Sequence, residues 1–137
     1  IQALDLVGRK IAKDGGKALR ALRARIDENV NTMDDVFKPQ MTQALAMLDA
    51  AMAHMMQYGL KDPEEAVAGA SPLLNLMALV LIGYVWGVMR QSGQVQKEKL
   101  ALIYMETALD EMAMYLARVK AGNQSIGQWQ MADFIYT

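Results

Sequence analysis

The sequence predicts an all-α protein, an antiparallel bundle of four to five helices, and three observations support this fold class. Hydrophobic residues make up 53% of the 137 residues and charged residues 21%, which excludes a disordered or fibrous chain. The 12 Met residues and the low aromatic content of 7% favour helices over strands. Apolar residues also recur every three or four positions, as one buried helix face requires.

The first two predicted helices are separated by a pair of glycines. A helix from Ile1 to about Lys13 ends at Gly15-Gly16, because two adjacent glycines are costly inside a helix. Asp14 is the predicted N-cap of a second helix, which continues to about Asn31. The apolar side of this second helix consists of Leu19, Leu22, Ile26 and Val30.

A capping box predicts the start of the third helix, with Thr32 as the N-cap and Asp35 at the third helical position. The helix carries a continuous apolar seam, in which steps of four and three residues alternate. Gly59 is the predicted C-cap at its end. The seam consists of Phe37, Met41, Ala44, Leu48, Ala51, Met55 and Tyr58.

The fourth segment has a strong start signal. Asp62-Pro63 supplies an N-cap and a proline at the first helical position, and Glu65 completes a capping box. Ser71-Pro72 repeats the cap-and-proline pattern inside this segment, which continues to Arg90 and is followed by Gly93. Because Pro72 removes a backbone donor, the segment is predicted to be either kinked there or divided into two helices, the second of them capped by Ser71.

The stretch Leu73–Met89 is almost uncharged and is close to the length at which membrane helices begin. Asn75 interrupts the stretch, and Gly83 and Gly87 dilute it. A bilayer crossing normally needs about 20 apolar residues. We therefore interpret the stretch as a central helix buried on nearly all sides, and we expect no membrane span.

The last long helix is predicted from about Val95 to Ala121 and ends at Gly122-Asn123. Its seam consists of Leu102, Met105, Leu109, Met112, Leu116 and Val119. The tail that follows is too apolar for a free end, so we expect it to pack on the bundle or on a partner. The seams together predict a core that contains Phe37, Leu48, Met55, Leu74, Leu81, Met105, Leu109 and Met112.

Few side chains could carry chemistry, and we predict no catalytic, cofactor-binding or metal-binding residue. The chain has one histidine, His54, and no cysteine, too few ligands for a zinc or di-iron site. His54 is interpreted as an ordinary residue, partly buried or at the surface. The acidic cluster of Glu106, Asp110 and Glu111 is typical of a solvated helix face. The lack of cysteine also fits a reducing cytoplasm.

A basic stripe near the N-terminus gives an alternative function, a helical module that binds nucleic acid or protein. The stripe would form only if one helix continued through the glycine pair, and it could then contact phosphates. The pI of about 5.8 is below the range expected for a nucleic-acid domain. The stripe consists of Lys10, Lys13, Lys17, Arg20 and Arg23.

Several stretches of the chain resemble one known family. Residues 1–10 (IQALDLVGRK), followed by Asp14-Gly15-Gly16, resemble a signature of bacterial FAD-dependent acyl-CoA dehydrogenases that carry an extra C-terminal domain. The Ala68–Leu74 stretch and the Gly83–Gly87 stretch resemble that extra domain, described as acetyl-CoA dehydrogenase C-terminal-like, and Gly122–Phe134 resembles its ending.

The resemblance implies a domain division and a function. In the family, a Tyr-Glu-Gly-Thr motif supplies the catalytic base and directly precedes a stretch of this kind, and the sequence contains no such motif. Residues 1–13 would end the family's helical domain, and residues 14–137 would form the appended bundle. The parent would be a cytoplasmic bacterial flavoprotein of fatty acid metabolism, with FAD as its cofactor and an acyl-CoA as its substrate. We expect the chain alone to bind no FAD, to be inactive and to form a homo-oligomer.

Overall fold

The computed structural model describes residues 16–59 and 61–122, and this part of the chain confirms the all-α prediction. Its regular elements are four α-helices and one π-helical turn, and it contains no strand. Predictions on the helix Ile1–Lys13, on the Asp14 cap and on the tail 123–137 lie outside the described residues. In chain order the elements are α1 (Lys17–Val30), α2 (Phe37–His54), the π-turn (Met55–Gly59), α3 (Pro63–Arg90) and α4 (Val95–Ala121).

Gly16 directly precedes α1 as its N-cap. Its φ of 77° is in the left-handed region, which glycine adopts without steric cost, and α1 begins at the next residue. Ile26 and Val30 are buried as the apolar pattern predicts. Leu22, from the same predicted stripe, is 42% exposed because α1 forms an outer layer of the bundle and is covered on one narrow side only.

The predicted capping box at the start of α2 is wrong, because Asp34 caps the helix. The Oδ1 atom of Asp34 accepts hydrogen bonds from the backbone N–H groups of Val36 and Phe37, each at 2.9 Å. The Thr32 hydroxyl instead donates to the Asn29 carbonyl at 2.7 Å. The helix therefore begins at Phe37, several residues later than the capping box predicted.

The seam of α2 is buried from Phe37 to Met55, but its last member, Tyr58, is 47% exposed. The reason is the π-turn, since one extra residue in the turn rotates the side chains that follow. Gly59 is buried as the last residue of this turn and has no positive φ. The helical stretch thus ends at Gly59 as predicted, but as the last residue of a π-turn, since the α-helix itself is followed by Met55 at its C-cap.

The start of α3 agrees with the sequence. Asp62 is the N-cap, and its Oδ1 atom accepts the Glu64 N–H at 3.0 Å, with Pro63 at the first helical position. The helix continues through Pro72, so the second of the two predicted alternatives, a division into two helices, is wrong. Ser71 is an exposed residue within the helix and not a cap. One missing hydrogen bond does not divide α3, because tertiary packing on both sides of Pro72 supports it.

The core lies between the inner face of α3 and the seams of α2 and α4. Leu73, Leu76 and Val80 of α3 are fully buried. Gly87 lets α2 approach closely, since a Cβ there would lie 2.5 Å from Met33 Cε and 2.7 Å from Phe37 Cε1. Such glycine and methionine pairs recur along α3, and they fit the high methionine content because flexible thioethers fill irregular gaps.

The helix α3 is antiparallel to both α2 and α4. Gly87 packs beside Phe37 near the start of α2, whereas Gly69 packs beside Met55 just after its end. The Tyr104 hydroxyl of α4 donates to the Leu79 carbonyl of α3 at 2.7 Å. The connection between α3 and α4 is short, as antiparallel neighbours require.

The outer face of α3, which we define as Leu81, Ile82, Val85 and Val88, is exposed. Leu81 is 36% exposed and Val85 is 51% exposed. The prediction that this helix is buried on nearly all sides is therefore wrong, and Leu81 is not a core residue. By length and composition α3 could cross a membrane, yet its inner face forms the core of the bundle, and core helices pass the same test.

The bounds of α4 agree with the prediction, and Gly122 follows the helix with a φ of 56°. Met105, Met112 and Val119 are fully buried. The remaining seam residues, Leu102, Leu109 and Leu116, are only partly buried, as is Leu74 of the predicted core. These residues lie at the edges of the buried faces.

Candidate functional site

A cleft of about 470 Å³ lies beside the π-turn, where the end of α2, the start of α3 and the end of α4 meet. A volume of this size is within the range of small-molecule sites in proteins. Single π-helical turns are rare and occur frequently at functional sites. The cleft is lined by His54, Gln57, Tyr58, Lys61, Asp62, Glu65 and Lys120.

Packing holds the π-turn in place beside this cleft. Met55 is buried, and its side chain lies against Gly59 and Gly69, where any larger residue would meet it. The Tyr58 carbonyl accepts hydrogen bonds from the backbone N–H groups of Lys61 and Asp62, at 3.3 and 3.0 Å. The turn therefore connects directly to the capped start of α3.

A histidine and a glutamate face each other in the cleft. The Nε2 atom of His54 lies 3.9 Å from Oε2 of Glu65, and the two side chains are only 18% and 15% exposed. Nε2 of His54 is shielded from solvent and has no hydrogen-bond partner among the described residues. This nitrogen is therefore not on the open surface of the cleft.

Two further contacts fix the orientation of this pair. The ring of Tyr58 lies 4.8 Å from the ring of His54, at an interplanar angle of 45°. Gly122 lies so close to the Glu65 carboxylate that a Cβ at this position would overlap it. The end of α4 therefore supports Glu65 from behind, and Tyr58 forms an aromatic wall at the side.

The remaining charges belong to the rim of the cleft. Lys61 and Lys120 are exposed and form no ion pair with another described residue. The Asp62 carboxylate is engaged at the helix start, where it accepts the Glu64 N–H. The lysines are therefore the rim cations that remain free to meet a charged ligand.

Sequence reasoning predicted no site residue, and it interpreted His54 as an ordinary residue. The structure does place His54 in a partly buried position, but beside a carboxylate and in a cleft. The available sequence signal was the i, i+4 spacing of His54 and Tyr58, which places two aromatic rings together on one helix. The partner Glu65 lies on a different helix, so no local pattern indicated it.

The basic stripe is not formed as the alternative function requires. The stripe needs a helix that continues through Gly16, and Gly16 has a left-handed φ that is not helical. The guanidinium of Arg23 donates two hydrogen bonds to the Asp49 carboxylate, at 2.9 and 3.0 Å, and lies 3.1 Å from Asp27. The hydrogen bond to Asp49 raises the pKa of Arg23. Arg23 is therefore paired, while Lys10 and Lys13 lie outside the described residues.

Within residues 16–59 and 61–122, no three His, Asp or Glu side chains are grouped closely enough to hold a metal ion. The acidic cluster of α4 agrees with the predicted solvated face, since Glu106, Asp110 and Glu111 are all exposed.

Comparisons with known proteins give a consistent match. A family model described as acetyl-CoA dehydrogenase C-terminal like matches residues 9–130. The 3-methylmercaptopropionyl-CoA dehydrogenase of Ruegeria pomeroyi is 30% identical over 105 residues, which cover 72% of this chain and 18% of that relative. The chain thus spans less than one fifth of the length of this curated relative. No solved structure matches the chain significantly.

Proposed function

The chain belongs to the acetyl-CoA dehydrogenase C-terminal-like family, and from this premise we propose that it is the C-terminal structural domain of an FAD-dependent acyl-CoA dehydrogenase. In this role the domain stabilises the association of subunits, while the rest of the enzyme performs the α,β-dehydrogenation of an acyl-CoA thioester. The parent would act in the cytoplasm. The observation that carries the structural role is the exposed outer face of α3.

The outer face is an unusually apolar part of the solvent-exposed surface. Its four side chains follow one another over two turns of α3, and each is between 36% and 51% exposed. Full burial of one such side chain stabilises by roughly 1.5–3 kcal/mol. A partner that covered the face would therefore gain a favourable contribution to its binding free energy. Contiguous apolar patches on soluble proteins mark interaction sites.

The face extends towards α1. Leu81 borders a small apolar hollow that is also lined by Leu19 and Leu22 of α1 and by Met77 of α3. The exposed Leu22 thus adjoins the same surface. A partner that docks on α3 would cover this hollow as well, which supports a docking surface formed by two helices.

The described residues do not fit a flavin, so no step of the reaction is assigned to them. Helix N-termini bind diphosphates through free N–H groups and a positive dipole. Three of the four described helices instead begin beside carboxylates, Asp34 at α2, Asp62 with Glu64 and Glu65 at α3, and Glu98 at α4. These charges repel the flavin diphosphate. FAD and the acyl-CoA belong to the parent enzyme in this proposal.

Two experiments test the proposal. The reading frame that encodes the chain is expected to encode flavoprotein domains and a Tyr-Glu-Gly-Thr motif upstream of Ile1. In the full-length enzyme, Ile82→Glu with Val85→Glu should weaken subunit association in sedimentation experiments, because two charges would be buried at the interface. The control is Ala113→Glu, at an exposed position of α4.

Either of two results would contradict the proposal. If the reading frame encoded no flavoprotein domain, the chain would not be part of an acyl-CoA dehydrogenase. A full-length enzyme whose assembly is unchanged by the double variant would show that the outer face has no role in association. The isolated chain should also retain no flavin absorbance after gel filtration and should not reduce a dye when acyl-CoA is added.

A further inference from the structure

We propose that the outer face of α3 binds the same face of a second copy of this chain, in an antiparallel arrangement with its two-fold axis at Ala78. The inference rests on the proposed function, because it identifies the partner that covers the outer face and the residues that face each other. Three features of α3 carry it: an exposed surface centred on Ala78, a difference in bulk between the two halves of this surface, and a lack of charge.

The exposed side of α3 continues from the outer face towards the start of the helix. Ser71, Asn75 and Ala78 are all exposed. An α-helix rotates by about 100° per residue, so residues seven apart differ in direction by only about 20°. Ser71 and Val85, which lie seven residues before and after Ala78, therefore share its side of the helix. Ala78 is at the centre of this exposed surface.

The two halves of the surface differ in bulk next to Ala78. Towards the start of α3 the exposed side chains are those of Ser71 and Asn75, and towards the end they are those of Ile82 and Val85. A two-fold antiparallel contact pairs each residue with one on the other side of the axis. Val85 would lie beside the partner's Ser71, and Ile82 beside the partner's Asn75. Large side chains thus meet small ones, which permits the close packing that specific interfaces have.

A parallel pair in register fits less well, because Val85 would meet the partner's Val85 and Ser71 the partner's Ser71. The large residues would hold the two helices apart, and a gap would remain between the small ones. In the antiparallel pair, Ala78 at the crossing point lets the helix axes approach to about 8 Å. Val67 and Met89 lie eleven residues before and after Ala78, so two apolar contacts close the ends of the pair.

The surface is also uncharged, since the sequence has no charged residue between Glu65 and Arg90. Two identical copies bring identical charges to a shared interface, and like charges within an interface repel. An uncharged surface avoids this repulsion. It also offers no opposite charge by which a partner with a charged surface would be recognised.

A lipid surface is the other partner that an apolar helix face suggests. Helices that lie on membranes are rich in Lys and Arg beside their apolar face. The start of α3 instead carries Asp62, Glu64 and Glu65, close to Val67, which is 60% exposed. These acids would be repelled by anionic lipids, so a second copy fits the face better.

Disulfide trapping in the 137-residue chain tests the arrangement, because the sequence contains no cysteine that would interfere. With copper–phenanthroline as the oxidant, Ala78→Cys should form at least about ten times more covalent dimer than Ala113→Cys, since thiols held together have a high effective concentration. The control position, Ala113, is an exposed alanine of α4.

A second pair of variants determines the direction of the helices. A mixture of Ser71→Cys and Val85→Cys chains should form a mixed dimer. Val85→Cys alone should not exceed the control, because its two copies would be about 21 Å apart along the helix axis, at 1.5 Å per residue. Circular dichroism verifies that each variant is folded.

The possible failures are distinguishable. If Val85→Cys links to itself more than to Ser71→Cys, the antiparallel arrangement is overturned, while the outer face keeps its proposed role in association. If Ala78→Cys links no more than Ala113→Cys, the pairing of α3 with α3 is overturned, and the assembly of the full-length enzyme tests the proposed function separately. If the chain also floats with vesicles of phosphatidylcholine and phosphatidylserine, the partner of the face is lipid and the proposal is wrong.

Discussion

Arg90 and Asp34 are 56 residues apart in sequence, and the Nε atom of Arg90 donates to Oδ2 of Asp34 at 2.6 Å. The Nη1 atom of Arg90 also donates to the Glu98 carbonyl at 2.6 Å, and its guanidinium lies 6.0 Å from the centre of the Phe37 ring. The other oxygen of Asp34 caps α2. One guanidinium thus joins the end of α3 to the starts of α2 and α4.

Replacement of Arg90 by Met should destabilise the bundle. The Arg90 side chain is only 12% exposed, and its loss leaves the Asp34 carboxylate and the Glu98 carbonyl without this donor. Hydrogen bonds to charged groups contribute about 1.5–3 kcal/mol, and the 47% exposure of Asp34 reduces the effect, so we expect about 1–2 kcal/mol. Urea denaturation measures the loss. Arg25→Met, at an exposed position of α1, is the control and should change stability by less than about 0.5 kcal/mol.

The same contact predicts how stability depends on pH. The hydrogen bond from Arg90 lowers the pKa of Asp34, and the capping N–H groups of Phe37 and Val36 lower it further. A carboxyl group whose pKa is lowered by folding contributes stability above its unfolded pKa, near 4, and this contribution is lost as the pH falls through the folded value. Unfolding free energy should therefore decrease as the pH falls below about 4. Asp34→Asn should flatten this part of the profile, and an equal slope in both proteins would refute the assignment.

Sequence periodicity predicted where the helices are, because the spacing of apolar residues is a local property of the chain. The bounds of α4 were recovered in this way, and the Asp62 cap was recovered from another local signal, the Asp-Pro pair at the helix start. Local sequence patterns failed where the capping residue is determined by residues that are distant in sequence. Asp34 rather than Thr32 caps α2, and the orientation of Asp34 is fixed by Arg90, which no local pattern connects to it.

The outer face and the candidate site were missed for two related reasons. An almost uniformly apolar stretch such as Leu73–Met89 has no polar side. Its sequence therefore does not indicate which side of the helix faces the core and which faces solvent. The π-turn differs from an α-helix by a single inserted residue, and the sequence of Met55–Gly59 carries no sign of it. Its consequence, the exposure of Tyr58 beside His54, could not be anticipated.

The packing of α3 predicts different effects of the same substitution at two of its glycines. In an exposed helix, Gly→Ala stabilises by roughly 0.5–1 kcal/mol. Gly87→Ala should instead destabilise by about 1–3 kcal/mol, because the new Cβ would overlap Met33 and the ring of Phe37. Gly83→Ala should be close to neutral, since its nearest neighbour is the flexible Met105 Sδ at 3.0 Å. Thermal unfolding of both variants measures the difference, and equal melting temperatures would contradict the packing argument.

A charge in the seam of α4 should be far more harmful than one at its surface. Met112 is fully buried, whereas Met114, two residues later, is 40% exposed. Met112→Asp should destabilise by several kcal/mol, on the order of 3–5, because the carboxylate would have no partner in the core. Met114→Asp should cost less than about 1 kcal/mol. Circular dichroism combined with urea denaturation gives both values, and similar losses in the two variants would show that the core is misassigned.

The last prediction is that the isolated chain self-associates through the outer face of α3. In the proposed parent enzyme this face is covered, and in isolation its side chains remain exposed unless a second copy covers them. Sedimentation velocity should show a mass that increases with concentration, and association is favoured because each molecule removes the same apolar surface from water. Ile82→Glu with Val85→Glu should shift the chain to a monomer without loss of helix content, because both residues are exposed in the described structure. Ala113→Glu adds a charge at an exposed position of α4 and should leave association unchanged. A chain that stays monomeric at high concentration, or a double variant that associates as strongly as the unmodified chain, would exclude this face as the contact surface.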